Sequence, residues 1–168
     1  MRSIILIAHD IRSTHNVGSL LRTAEGLGVH RVIFTGYTPY PEQPGQDPRL
    51  PHIRAKLTKD IHKTALGAEA IVPWRHEQDI GHTLRALAAQ GYTIVGLEQS
   101  SQSISLPQYA PASKLAILLG REVEGIDPDL LHYCHDIVEI PMYGKKESYN
   151  VVQAAAMMLY HCRFYPFG

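Results

Sequence analysis

Three segments of this chain combine glycine with polar or charged side chains in ways that suit chemistry. The first, 14-THNVGSLLRTAEGLG-28, sets Arg22 beside a helical apolar stripe of Val17, Leu20, Leu21, Ala24 and Leu27, with Asn16 as the expected N-cap. An arginine there either lies along its helix with its head in water or holds a planar guanidinium beside phosphate or developing negative charge. The second, 118-LLGREVEGI-126, offers Gly120 and Gly125 for close backbone approach to a ligand and Glu122 as a carboxylate. In the third, 140-IPMYGKKESYNVVQAA-155, a loop after Pro141 delivers Ser148 and Asn150 to the mouth of a final helix. Taken singly, each has a plain structural explanation. Glu122 pairs with Arg121 or a lysine, and Ser148 and Asn150 act as caps.

The elements that must position these residues follow from hydrophobic periodicity. Strand-like runs at 3–8, 31–36, 70–74, 92–98, 115–120 and 136–142 alternate with helical patterns at 17–28, 77–90, 127–133 and 150–163. That rhythm predicts an α/β fold, a mostly parallel sheet with helices on both faces, whose strand ends are where ligands bind. The five prolines of 37-YTPYPEQPGQDPRLPH-52 mark a loop inside one domain spanning 1–168, because the same alternation resumes after it. The final helix, 151-VVQAAAMML-159, is apolar on nearly every face, with Asn150 as N-cap, and this predicts a subunit interface.

Composition narrows the function classes. Sixteen basic residues balance sixteen acidic ones, so nucleic acid would have to be met by a local patch rather than a global field. The segment 49-RLPHIRAKLTKDIHK-63 supplies such a patch in Arg49, Arg54, Lys56, Lys59 and Lys63, and Lys145 with Lys146 adds to it. Two cysteines without a C-x-x-C, and an N-terminal apolar run too short for a signal or a span, predict a cytoplasmic protein without membrane association. No G-x-G-x-x-G follows the first strand, and no G-x-x-x-x-G-K-[ST] occurs. The run 132-HYCH-135 has no second ligand cluster, so no metal is expected.

In order, N-x-G-x-x-x-R-x-A, G-x-E-x-x-G-I and I-P-M-x-G-x-x-x-S-x-N-V closely resemble the three signature motifs of the SpoU (TrmH-like) branch of the SPOUT RNA methyltransferases, over residues 16 to 155. The resemblance implies transfer of methyl from S-adenosylmethionine to a ribose 2′-hydroxyl of tRNA or rRNA. It also implies a homodimer built through the C-terminal helix, and a C-terminal trefoil knot over about residues 92–168. Carried across, it makes Arg22 the catalytic arginine, with Asn16, Glu122, Ser148 and Asn150 around the reaction. Leu97, Glu98, Gly120, Ile140, Met142, Ser148 and Tyr149 would hold the cofactor. RNA would meet Arg22, Arg54, Lys56, Lys59, Lys63, Lys145 and Lys146, and the compact chain suggests a tRNA loop or hairpin as target. Family sequences usually read S-L-N-V-S where this chain has 148-SYNVV-152, so Tyr149 and Val152 depart from the pattern.

Methyl transfer from a sulfonium requires a ribose oxygen that has shed its proton. Arg22 is either the base, or the grip on the neighbouring phosphate and the stabiliser of charge building on that oxygen while water or another group takes the proton. A catalytically silent RNA-binding dimer with the same knotted fold is the alternative function.

Overall fold

The computed structural model describes residues 1–166. Seven strands, β1 (Ser3–His9), β2 (Arg31–Thr35), β3 (Trp74–Glu77), β4 (Thr93–Leu97), β5 (Ile104–Ser105), β6 (Lys114–Leu119) and β7 (Asp136–Glu139), form one sheet in the order β3-β2-β1-β6-β4-β7-β5. Every strand pairing in it is parallel. Among the described residues, five α-helices cover it: α1 (Thr14–Gly26), α2 (Pro51–Ala65), α3 (Ile80–Ala89), α4 (Pro128–Leu131) and α5 (Val151–Phe164).

The period-two alternation of a strand divides the core. Ile4, Leu6 and Ala8 of β1 join α1 and α5 on one face, while Ile5 and Ile7 pack with Leu84 and Leu87 of α3 on the other. Both faces of the central strands are therefore dry, which is why their sequences read as continuous apolar runs. β7 inserts between β4 and β5, which precede it in the chain, so the 140s loop emerges beside the ends of β4 and β6.

Several expectations are corrected. α1 begins at Thr14, and its N-cap is Ser13, whose side chain accepts from the Asn16 backbone N–H. Asn16 thus sits inside the first turn with its amide free for other work. The run 70–74 is not the third strand. Ala68–Ala70 forms a 3-10 turn after the left-handed Leu66 and Gly67, and pairing with β2 starts only at Trp74. Within 49–63, what read as loop and basic segment is largely α2, with Pro51 at its first position and a narrow stripe at Ile53, Leu57, Ile61 and Ala65. β7 stops at Glu139, before Pro141.

Gly18 lies in the middle of α1 rather than in a turn. A β-carbon there would fall 2.2 Å from Thr64 Oγ1 and 2.3 Å from the Ile61 carbonyl oxygen. Only glycine lets α1 and α2 cross this closely, and Thr64 Oγ1 seals the crossing by donating to the His15 carbonyl at 2.9 Å. The crossing lays the basic α2 alongside the helix that carries Arg22. At the other end of α1, Arg163 of α5 donates to the carbonyls of Leu27, Gly28 and Arg2, tying the last helix to the first helix and strand.

Candidate active site

The three chemistry-bearing segments meet at the carboxyl ends of β1, β4, β6 and β7, the edge where ligands bind in parallel sheets. Glu122 is the junction. Its carboxylate accepts from the backbone N–H groups of Arg12 and Ser13, each at 3.2 Å, and from Asn16 Nδ2 at 3.1 Å. Burial pushes this carboxyl up, but the N–H groups of Glu122 itself, Arg12 and Ser13, with the Asn16 amide, outweigh it and hold the group below the ordinary carboxylate range. Asn150 Nδ2 donates to Asn16 Oδ1 at 3.4 Å, while Asn150 Oδ1 caps α5 by accepting from Val152 N at 2.9 Å. Glu122, Asn16 and Asn150 therefore form one hydrogen-bonded chain across three segments.

Beside this chain opens a cavity of about 240 Å³, walled by Leu97, Leu119, Ile140, Tyr149, Val151 and Ala154. That is just under the ~300–1,000 Å³ of ordinary small-molecule sites. Among the described residues, five carboxylates line it, Glu98, Glu122, Glu124, Glu139 and Glu147, against a single cation, Arg121. Apolar walls and an acidic rim suit a flat apolar group joined to a positive centre, which is the chemistry of a sulfonium nucleoside.

The glycines of the second segment both line this cavity, and each also packs closely on a neighbour. A β-carbon on Gly120 would lie 2.4 Å from the Gly125 carbonyl carbon, and Arg121 and Gly125 exchange backbone hydrogen bonds at 3.0 Å. Gly125 has a φ of 73°, and a β-carbon there would strike Glu98 Oε2 at 2.1 Å. Glu98 itself accepts from the N–H groups of Ile126 and Gln99, both at 2.8 Å. Its carboxylate thus shapes the cavity by pinning the 120s turn.

Of the residues expected around the cofactor, Leu97, Glu98, Gly120, Ile140, Ser148 and Tyr149 line the cavity, and Met142 lies outside its lining. Tyr149, the first departure from the family pattern, stands between this cavity and an apolar groove along α5 formed with Leu106, Met157 and Tyr160. Val152, the second, packs half-buried against the core. Gln99 and Glu147 were not read from the sequence. Gln99 Nε2 donates to the Glu147 carbonyl at 2.8 Å and so closes the loop over the cavity.

Arg22 does not join this network. Six residues past Asn16, it lies about 9 Å further along α1 and about 120° around it. It is exposed and faces a shallow hollow shared with Ser19, Thr23, Lys63, Thr64 and Leu66, none of which lines the acidic cavity.

The basic residues divide. Lys56, Lys59 and Lys63 stand exposed on α2, and Lys145 and Lys146 stand exposed on the 140s loop. Lys63 pairs with Asp60 at 2.7 Å. Arg49 is structural instead: it binds Asp47, donates to the carbonyls of Tyr40 and Pro41, and lies 3.6 Å from the centre of the Tyr40 ring. Arg54 pairs with Glu42 at 2.9 Å and is half-buried. The 132–135 run is structural as well. His135 Nδ1 accepts from Ile94 N at 3.0 Å, and burial pushes the Cys134 thiol up to about 11.

A family model, described as the SpoU rRNA Methylase family, matches residues 49–160. The chain belongs to the SpoU family. Over 160 residues, this SpoU-family chain is 33% identical to the 23S rRNA (guanosine-2′-O-)-methyltransferase RlmB of Neisseria meningitidis serogroup B, covering 95% of the chain and 58% of that protein. The chain thus spans less than two thirds of the length of this curated relative. In fold it superposes on the AdoMet-bound rRNA methyltransferase of Sinorhizobium meliloti with a TM-score of 0.81 at 20% identity, covering 99% of the chain and 57% of that structure. The A. aeolicus TrmH/SpoU tRNA modifying enzyme gives a TM-score of 0.78 at 19% identity, covering 97% and 75%. Among the described residues, no helix of the SpoU-family chain is long and apolar enough to cross a membrane, and no cluster of His, Cys, Asp and Glu is arranged to hold a metal.

Proposed function

We propose that this SpoU-family chain transfers methyl from S-adenosylmethionine to a ribose 2′-hydroxyl of tRNA or rRNA, acting as a cytoplasmic homodimer. The observation that carries the reading is the Glu122–Asn16–Asn150 chain at the rim of an acidic, apolar-walled cavity. It joins the three motif segments at one strand edge. The names of the curated relative and of the superposed structures support the same reading. Residues 1–168 act as one methyltransferase domain, in which the insertion of β7 between β4 and β5 suits a trefoil knot over about residues 92–168.

In this reading, the backbone near Leu97, Gly120 and Ile140 and the Tyr149 ring hold the nucleoside, and the carboxylate rim favours its positive centre. Bound S-adenosylmethionine supplies an electrophilic methyl group. Asn16 and Asn150, oriented by Glu122 and by the cap of α5, fix the groups that face the incoming ribose. The planar guanidinium of Arg22 grips the phosphate beside the target ribose and stabilises charge on the attacking oxygen. Water or a neighbouring group takes the proton.

Because the hollow at Arg22 shares no lining residue with the cavity of its own chain, Arg22 is assigned in this reading to the cavity of the partner subunit. The apolar groove between Leu106, Tyr149, Met157 and Tyr160 is the surface the partner covers.

The test is transfer of labelled methyl from S-adenosylmethionine into separated unmodified tRNA and rRNA, with mapping of linkages that resist alkali. Alkali-resistant label at one nucleotide supports the reading. RNA binding without label leaves a silent RNA-binding dimer, and label on a base overturns the 2′-hydroxyl assignment.

A further inference from the structure

Across the rim from the acidic cavity, the carboxyl ends of β1 and β2 hold an aromatic side chain in a costly way. Asp10 adopts a left-handed φ of 55°, unusual for a residue with a β-carbon, and Gly36 a φ of 63°. The strained turn lets Asp10 Oδ1 accept from Tyr37 N at 3.0 Å, and a β-carbon on Gly36 would collide with that oxygen at 1.9 Å. His9 Nε2 stands 3.3 Å from the other oxygen, Oδ2. The outcome of this bracing is a Tyr37 that is 54% exposed and lies outside the buried core clusters.

Arg12 completes the feature. Its guanidinium lies 5.9 Å from the Tyr37 ring centroid and 3.6 Å from Glu124, with the side chain 64% exposed. Its backbone N–H is one of the donors to Glu122, so the strand-end loop that carries the guanidinium is fixed to the catalytic network. Arg12 also lines the hollow that contains Asn16 and Glu122. A rigidly based aromatic ring next to a guanidinium plane, both open to solvent, is the arrangement on which unstacked nucleobases lie in single-stranded RNA sites.

We propose that Tyr37 and Arg12 form a stacking platform for an unstacked base of single-stranded RNA, next to the ribose presented to Asn16 and Glu122. The inference rests on the RNA-methylating reading and assigns the base-holding part of the same site. The platform recognises a π-face, so it tolerates any base, and its contribution is separate from the lysine contacts of α2.

The experiment is equilibrium binding of the full chain to a labelled single-stranded oligoribonucleotide of roughly 12 nucleotides, and to the same oligonucleotide with its central bases removed. Wild type is compared with Tyr37→Ala, Tyr37→Phe and Arg12→Gln. Tyr37→Ala should weaken binding of the intact probe about 5- to 100-fold, Tyr37→Phe less than about 3-fold, and the salt dependence should hold for both Tyr37 variants. Arg12→Gln should weaken binding as well and reduce the salt slope by about one contact. On the base-free probe, wild type and Tyr37→Ala should bind alike. S-adenosylmethionine affinity, measured by calorimetry, serves as the folding control. Equal binding of the intact probe by wild type and Tyr37→Ala overturns the platform and leaves the methyltransferase reading standing. A wild type that binds neither probe, nor unmodified tRNA or rRNA, overturns both.

Discussion

Asn150 and Asn16 lie 134 residues apart in the chain, yet the amide of one donates to the amide oxygen of the other at 3.4 Å, with Glu122 closing the relay on the far side of Asn16. Both asparagines are used at both ends of their amides, which is what a hydroxyl-sized or charged replacement cannot reproduce. Asn16→Asp faces a second carboxylate to Glu122 and removes the donor between them. We expect it to lower stability by about 1–2 kcal/mol in urea unfolding at neutral pH, more than Asn16→Ala. The new carboxylate opposes the hydrogen bonds that hold Glu122 low, so the penalty stands while both groups are ionised and fades as the pH falls and they take up protons. A penalty that persists unchanged into acid would mean that the relay does not run through Glu122.

Arg22→Ala and Arg22→Lys should leave the melting temperature within a degree or two, because Arg22 is exposed and its hollow is shallow. Methyl transfer should fall at least about a hundredfold in both, the scale of losing one charge-stabilising group. An active Arg22→Lys protein would show that a point charge suffices and that the planar fork is not needed.

The basic segment predicts two unlike outcomes. Changing Lys56, Lys59 and Lys63 together to Gln should weaken RNA binding and reduce its salt slope by about 0.7–0.9 per lost phosphate contact, with S-adenosylmethionine affinity unchanged. Arg49→Ala should leave that slope alone and instead destabilise the fold by about 1–3 kcal/mol, since it strands the covered carboxylate of Asp47. The Arg49 hydrogen bond holds the Asp47 carboxyl well below the usual carboxylate range. A depressed carboxyl stabilises the fold above its unfolded value and loses that contribution as pH falls. The gap between wild type and Arg49→Ala should therefore narrow below about pH 4, which parallel unfolding curves will show.

The contrast between Arg49 and the lysines marks where sequence stops being legible. Both read as cations in one basic run, but Arg49 is folded back onto Tyr40 and Asp47 by a proline-rich loop whose course no local pattern encodes. The central strands β1, β2, β4 and β6 were legible because burial on both faces leaves uninterrupted apolar runs such as 115–119, whereas half-buried β3 and two-residue β5 leave no such run. α2 was not, because its apolar stripe is narrow and its flanks are polar, and its stability comes from the crossing that Gly18 permits. The motif residues Asn16, Glu122 and Asn150 announced themselves by type and order. Their partners Arg12 and Ser13 act on Glu122 through backbone N–H groups, which every residue carries, and so left no trace in composition. Gly120 and Gly125 read as close-approach positions from sequence, and the fold adds which neighbours they approach, the backbone of Gly125 for Gly120 and Glu98 for Gly125.

The central claim is that each active site takes its cavity from one subunit and Arg22 from the other, since Arg22 shares no lining residue with the cavity of its own chain. The most direct measurement is complementation. One subunit carries Arg22→Ala, and a second carries Gly120→Leu, whose side chain cannot fit where a β-carbon already meets Gly125 at 2.4 Å. Each homodimer should be inactive in methyl transfer, and circular dichroism with cofactor titration defines the two defects. Purified heterodimers, isolated by two different affinity tags, contain one site in which an intact cavity faces an intact Arg22. They should recover roughly half of the wild-type rate per dimer, as one working site in two requires. Heterodimers that are verified as such and remain inactive would contradict the shared site and return Arg22 to the cavity of its own chain.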